Sequence, residues 1–371
     1  MNSLPTAPSG PPDEALIASA AQSLRAGKLI GLPTETVYGI GAALTSSSAL
    51  AALQQLLNIQ GRPAWVIHVA STNGPSAYVA RIAPLARRLM KRLWPGPVAI
   101  QVLPDAGDMS RLQALLGQSG ADAALTDGYL TFRCTETEIT RRMIAVAETP
   151  VTIMGAAGNQ RIERAENLPP TIREQLAVVI SGPPPRYEQP STLIRIRGDV
   201  LDVLREGAVA ERVIQRSAEM VLVFVCSGNT CRSPMAAGLA SRLLAEKLGI
   251  PLSELPRRHL VIRSAGLYAS SGMPAAPEAV RAAAELGADI QKHRSAPLTD
   301  ELLRRADMIY TMTQSHRDDI VSRSPLAGER TVTLDPDGDI DDPIGRGEQV
   351  YRRTARRIEH LIGKRLAELE L

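Results

Sequence analysis

An uninterrupted apolar run, Met220-Val221-Leu222-Val223-Phe224-Val225, follows the polar stretch Arg216-Ser217-Ala218-Glu219 and precedes a short polar loop. A half-exposed strand would alternate; this run predicts a central parallel strand covered on both faces. Helical and strand patterns then take turns. Pro234 to Leu248 reads as helix, His259 to Ser264 as strand, Pro277 to Gly287 as helix and Met308 to Met312 as strand. A last helix is predicted from Gln349 to Glu368. That alternation implies a small doubly wound α/β domain over residues 220–371.

Upstream, the pattern is mixed α/β without strict alternation. Glu14 to Ala26 is helical and Gly27 stops it. Lys28 to Pro33 is a strand running into the polar turn Thr34-Glu35-Thr36. Ser46 to Leu57 is a helix, with Ser46 or Ser47 as N-cap. Val66 to Val69 and Val98 to Val102 read as strands flanking a helix at Pro84 to Leu93, where Pro84 suits the first helical position. Strands at Leu130 to Phe132, Val151 to Met154, Thr192 to Ile196 and Val200 to Leu204 complete the set, with Pro183-Pro184-Pro185 as an extended spacer. The expected organisation is a flexible tail at 1–12, a mixed α/β domain at 13–213, a polar linker at 214–219 and the doubly wound domain at 220–371.

Composition supports two folded domains. At 371 residues the chain exceeds one ordinary domain, and 44% hydrophobic residues are ample for cores. A net charge of +3 is too small to argue nucleic-acid binding by itself. No apolar stretch of about 18 residues and no charged n-region with an apolar h-region is present, so a cytoplasmic protein without a membrane partner is expected. Three cysteines do not form a disulfide framework.

The segment Cys226-Ser227-Gly228-Asn229-Thr230-Cys231-Arg232-Ser233-Pro234 carries the chemistry. A buried strand stops, a Gly-containing loop turns and a helix starts, so backbone N–H groups and the helix N-terminus converge as an anion cradle. Cys226 stands at its start as a nucleophile. Arg232 follows with a planar two-pronged donor suited to phosphate, and Ser233 can donate to the sulfur. Ser227, Gly228, Asn229, Thr230, Cys231 and Ser233 are the candidate phosphate-binding residues. No His cluster or second Cys pair supports a metal.

This stretch resembles the Cys-x5-Arg-Ser signature of the low-molecular-weight protein phosphatases. The likeness continues through Arg263-Ser264-Ala265-Gly266, His293-Arg294-Ser295 and Ala306-Asp307-Met308-Ile309. It implies a four-stranded parallel sheet, a cysteinyl-phosphate intermediate, no cofactor and a phosphorylated protein as substrate. His293 is expected as a scaffold histidine on the loop. The resemblance places the general acid in an Asp-Pro pair. Asp342-Pro343 is preferred over Asp335-Pro336 because Gly345 and Tyr351 also match the family's ending. Substrate choice turns on Thr230 and Ile344. Thr230 is similar to the pattern of bacterial protein-arginine phosphatases, and Ile344 stands where tyrosine-directed members carry an aromatic residue. Phosphoarginine is favoured over phosphotyrosine.

In the first domain, Leu32-Pro33-Thr34-Glu35-Thr36-Val37-Tyr38-Gly39 resembles the signature of YrdC-like proteins, the threonylcarbamoyl-AMP synthases of tRNA modification. Gln60-Gly61-Arg62-Pro63, Trp94-Pro95-Gly96-Pro97, Arg133, Pro190-Ser191-Thr192 and Leu204-Arg205-Glu206-Gly207 follow in the family's order. The resemblance implies a cleft holding Thr34, Thr36, Tyr38, Arg62, Arg133 and Ser191, with ATP and Mg²⁺ as ligands and a nucleotide, tRNA or double-stranded RNA as partner. Two departures stand out. The family's Lys-x-Arg is Gln60-Gly61-Arg62, and its Ser-Ala-Asn falls on Met154-Gly155-Ala156-Ala157, with Asn159 nearby. Degraded synthase activity is therefore expected, an intact synthase being the alternative.

Overall fold

The computed structural model describes residues 14–156 and 162–369, so the tail expected at 1–12, Ala157 and Asn159 lie outside the described residues. Two units meet between Ala218 and Glu219.

Unit 1 opens with α1 (Glu14–Arg25), whose buried Ile17, Ala20, Ala21 and Leu24 follow a helical face. Gly27, at φ +70°, ends it as only a residue without Cβ does cheaply. Then come β1 (Ile30–Leu32), β2 (Gly39–Ala43), α2 (Ser47–Leu56), β3 (Val66–His68), α3 (Pro84–Leu93), β4 (Val98–Val102) and α4 (Asp108–Ala124). They are followed by β5 (Leu125–Thr126), β6 (Tyr129–Arg133), α5 (Glu138–Val146), β7 (Val151–Gly155), α6 (Pro170–Arg173), β8 (Val178–Val179), β9 (Thr192–Arg197) and β10 (Val200–Arg205). The strands form one mixed sheet in the order β10-β9-β4-β6-β3-β7-β2-β1-β8, with β5 on β6. Ser46 is the cap of α2, its Oγ accepting from the Ala49 amide at 3.2 Å. His68 pairs with Arg133 across β3 and β6, which puts both side chains on one sheet face.

The pattern did not predict α4 or α5. Gly117 kinks α4 at φ +70°, and Gly120 meets the backbone after β2 so closely that a Cβ would lie 2.5 Å from Leu44 O. Glycines placed for contact blur the helical period. The expected linker also needs correction, because α7 (Glu211–Ala218) runs through most of it. Ile214 and Ala218, four apart, are buried in the core of unit 1. Arg92 and Arg88 donate to Ser217 O and Ala218 O at 2.9 and 2.8 Å, satisfying carbonyls a helix end leaves open. The charges that suggested a linker are this helix's exposed face.

Unit 2 contains β11 (Met220–Cys226), α8 (Arg232–Leu248), β12 (Leu260–Gly266), α9 (Pro277–Glu285), α10 (Asp300–Arg305), β13 (Met308–Thr311), α11 (Gln314–Arg323), β14 (Thr331–Thr333) and α12 (Glu348–Ala367). The four strands are all parallel, in the order β12-β11-β13-β14, which is the doubly wound domain the sequence implied. Every residue of β11 is buried. Met220, Leu222, Phe224 and Cys226 pack with α8 and α12, while Val221, Val223 and Val225 pack with Ile309 and Ile320 on the other face. Parallel strands all end at one edge of the sheet, where ligands bind in such folds. Among the described residues no helix is long and apolar enough to cross a membrane.

Candidate functional site

The last residue of β11, Cys226, is 3% exposed and its Sγ lies 3.0 Å from Ser233 Oγ. Ser233 Oγ accepts from Asn229 Nδ2 at 2.9 Å and has Ala265 O at 3.2 Å, so its single proton serves either that carbonyl or the sulfur. Asn229 carries the turn at φ +55°. Its Oδ1 accepts from the Ala296 amide at 2.9 Å, and His293 Nε2 donates to its carbonyl at 2.8 Å, the scaffold contact anticipated for that histidine. The amides of Leu267 and Tyr268 donate to Cys226 O and Ser227 O, both at 3.0 Å. With the carbonyls of Cys226, Ser227, Asn229 and Thr230 taken by partners elsewhere in the fold, the loop's own amides are available to an anion. Helix α8 begins at Arg232, and its N-cap Cys231 makes no side-chain cap. The first-turn amides therefore remain for the same purpose.

Arg232 is 4% exposed, and its Nη1 donates to Ile340 O at 2.8 Å. Its Nη2 is bonded to Asp342 Oδ2, and its Nε is buried with no partner. A buried unpartnered guanidinium N–H is costly unless it serves an incoming acceptor. The competing Asp335 is held elsewhere: Arg357 donates to Oδ2 at 3.1 and 2.6 Å, and the Asp337 amide to Oδ1 at 3.0 Å. Burial raises its carboxyl, but those hydrogen bonds and the Arg357 charge win and hold it below the ordinary range. Of the two Asp-Pro pairs, the fold brings Asp342 to Arg232.

Thr230 is half-buried, its Oγ1 3.7 Å from Cys231 Sγ and equally far from where a Cβ on Gly228 would stand. Cys231 Sγ lies 3.3 Å from Tyr351 OH, and burial pushes its thiol up. Ile344 is 64% exposed beyond the acid loop. Sequence reasoning missed two rim residues. Tyr268, 74% exposed, follows Leu267 off β12, and its hydroxyl donates to Asp319 Oδ2 at 2.9 Å. His316 is buried at the start of α11, with Nε2 2.8 Å from Ser227 Oγ. Tyr268 lies two residues past the Ser264-Ala265-Gly266 match, which was the available signal. Nothing local marks His316.

Unit 1 gathers a second polar centre. Arg133 Nη2 donates to Glu35 Oε1 at 2.8 Å and to Thr36 Oγ1 at 3.0 Å, and Thr135 Oγ1 is bonded to Glu35 Oε2. Burial raises the Glu35 carboxyl, yet the Arg133 charge and these hydrogen bonds outweigh it and leave it low. His68 Nδ1 donates to Val66 O at 3.2 Å, so Nε2 is a buried acceptor without a partner. Burial, then the Arg133 charge, pushes this imidazole down to about 3. Thr34 Oγ1 donates to Val37 O at 2.5 Å beside Thr36. Arg205 Nη2 donates to Ser191 O at 2.9 Å.

Two residues expected in that cleft are placed otherwise. Tyr38 is a core side chain whose hydroxyl donates to Ile180 O at 2.9 Å, because its ring is apolar enough to bury once the hydroxyl is satisfied. Arg62 is exposed and bonded to Asp122 O. For a triphosphate and Mg²⁺ this centre offers Arg133, which is ion-paired with Glu35. Among the described residues no group of three or more His, Cys, Asp or Glu side chains could hold a metal ion; a triphosphate-bound Mg²⁺ needs only one or two protein ligands.

Comparison with known proteins agrees with this division. Residues 22–207 match the Sua5/YciO/YrdC family, described as telomere recombination. Residues 221–371 match the family described as low molecular weight phosphotyrosine protein phosphatase. The chain is similar to the protein-arginine-phosphatase of Bacillus subtilis (strain 168), 35% identical over 156 residues, which covers 41% of this chain and 97% of that protein. It is also similar to the low molecular weight protein-tyrosine-phosphatase PtpB of Staphylococcus haemolyticus (strain JCSC1435), 32% identical over 39% of this chain and 96% of that one. A third relative, the threonylcarbamoyl-AMP synthase of Pyrococcus abyssi (strain GE5 / Orsay), is 28% identical over 66% of this chain and 70% of its own.

Proposed function

Since the chain belongs to the Sua5/YciO/YrdC family over residues 22–207 and to the low molecular weight phosphatase family over 221–371, we propose that unit 2 dephosphorylates protein phosphoarginine through Cys226. The observation that carries this reading is a loop that opens at the Cys226 sulfur, has the carbonyls of Cys226, Ser227 and Thr230 taken by amides from elsewhere in the fold, and closes at Arg232, whose buried Nε has no partner.

The thiolate attacks phosphorus and the P–N bond breaks, its electron pair leaving with the guanidine nitrogen. Asp342, which takes a proton from the solvent it faces once it leaves Arg232, passes that proton to the nitrogen. Ser233 turns its hydroxyl to the sulfur, so the cysteinyl phosphate is formed and released without a free thiolate facing a bare pocket. Water then attacks phosphorus, Asp342 takes its proton, and inorganic phosphate and the thiolate remain. Arg232 and the loop amides hold the equatorial oxygens throughout. Asp342 must leave Arg232 to do this, so anion binding and release of the acid are one event.

Thr230 and the arginine-phosphatase relative support phosphoarginine over phosphotyrosine; the tyrosine-phosphatase relative supports the reverse. Full-length protein assayed against phosphoarginine and phosphotyrosine peptides tests the choice. A kcat/KM higher for phosphotyrosine would overturn it.

For unit 1 we infer reduced synthase activity. Gln60 in place of a lysine, Arg62 spent on a carbonyl and Arg133 matched by Glu35 support this. The kept Glu35–Arg133–Thr36 centre and the synthase relative favour a second reading, an active threonylcarbamoyl-AMP synthase acting toward tRNA in the cytoplasm. Incubating the Cys226→Ser chain with threonine, bicarbonate, Mg²⁺ and ATP separates the two. Sustained formation of threonylcarbamoyl-AMP would sink the first.

A further inference from the structure

We propose that His316 is a positioning residue of the phosphatase site, holding the Ser227 side chain and through it the second residue of the phosphate loop. The inference rests on the phosphatase reading of unit 2 and extends it to α11.

Three of the ties that hold the loop come from different parts of the fold. Asn229 is tied to Ser233 and to the Ala296 amide, and β12 runs on to take the Cys226 and Ser227 carbonyls. The third tie is the Ser227 side chain, which lies 2.8 Å from His316 Nε2.

The hydrogen-bond chain has a direction. Thr313 Oγ1 accepts the His316 amide at 3.2 Å as the N-cap of α11, so its own proton is free for His316 Nδ1 at 2.8 Å. A neutral imidazole that accepts at Nδ1 carries its proton on Nε2 and donates it to Ser227 Oγ. His316 is buried, so water does not readily replace either partner. Three residues on, Asp319 accepts from the Tyr268 hydroxyl. One turn of α11 therefore grips both the loop and its rim. Anion cradles need this support because loop amides aimed about 1 Å wide lose much of their effect.

The test uses the full-length chain. Turnover of phosphoarginine peptide is measured for His316→Ala, His316→Gln, Ser227→Ala and the double variant His316→Ala/Ser227→Ala. The binding of inorganic phosphate is measured by calorimetry for the same changes in a Cys226→Ser background. His316→Ala and Ser227→Ala should each lower kcat/KM and phosphate affinity about tenfold, the scale of one lost hydrogen bond. The double variant should be no worse than either, since both break one link. His316→Gln, which keeps a donor at the same reach, should recover most of the loss. Unchanged kinetics, additive losses, or a Gln variant as poor as Ala would each overturn the proposal. If His316→Ala fails to fold, Ser227→Ala and His316→Gln decide. Inactive wild type whose phosphate binding still depends on His316 would sink the phosphatase reading alone. Active wild type indifferent to these changes would sink this inference alone.

Discussion

Arg232 Nη2 is bonded to Asp342 Oδ2, so the cation proposed to receive the substrate's phosphate also holds the acid proposed to protonate its leaving group. The pair joins residues 110 apart in the chain and is half open to solvent on the aspartate side. Removing the carboxylate should therefore act in two directions. Asp342→Ala is expected to lower turnover by about 10²–10⁴ through loss of proton delivery. The same change should tighten competitive inhibition by inorganic phosphate, because Arg232 is released. A phosphate inhibition constant equal to wild type would show that the two do not compete.

Cys226→Ser should abolish turnover yet retain inorganic phosphate. The loop amides and the unpartnered Arg232 Nε, proposed to meet the anion, do not depend on the sulfur. Calorimetry with phosphate checks this, and loss of binding along with turnover would count against the cradle.

Thr230→Ile should move preference toward phosphotyrosine. The half-buried side chain has its Oγ1 3.7 Å from where a Cβ on Gly228 would stand, and a larger aliphatic group there changes the shape of the loop's surroundings. The measurement is the ratio of kcat/KM for the two phosphopeptides. An unchanged ratio removes Thr230 from substrate choice.

Gly266→Ala should impair the phosphatase by distorting its loop. A Cβ at Gly266 would stand 2.6 Å from Ser227 O and 3.0 Å from the Asn229 amide, both backbone atoms that cannot swing aside. Overpacking of this kind costs about 1–3 kcal/mol. Denaturant unfolding and turnover should both report it, and an alanine variant of normal activity would show that the loop yields.

Unit 1 should lose stability in acid through His68. Its folded pKa is depressed from 6.5 to about 3, so the unfolded chain takes up a proton that the folded one refuses. The contribution is intact above about 6.5 and is lost as pH falls toward 3, at up to about 1.4 kcal/mol per pH unit. Urea unfolding of wild type and His68→Gln across that window checks it. Parallel pH profiles would exclude His68 as the cause.

The parts of the site that are contiguous were legible before any fold was known. Strand, loop, Cys226 and Arg232-Ser233 follow one another, and the order of apolar strand, Gly-containing turn and helix start is a local property of the chain. The apolar run of β11 likewise implied a two-faced strand, and every one of its residues is buried. Choosing between Asp335 and Asp342 was different. Both are Asp-Pro pairs in an acidic loop, and only the fold pairs one with Arg357 and the other with Arg232.

What the amino-acid order determined by itself is the class of fold: two α/β units, one in which a buried strand, a Gly-containing loop and a helix start follow one another around Cys226. Only the tertiary structure decided that Tyr38 is core, that residues 211–218 are a packed helix, and that His316 reaches Ser227 from 89 residues away. The physical reason is range. Periodicity and turn chemistry act over a few residues, whereas burial and hydrogen-bond partnership are settled by whichever distant side chain the packing delivers.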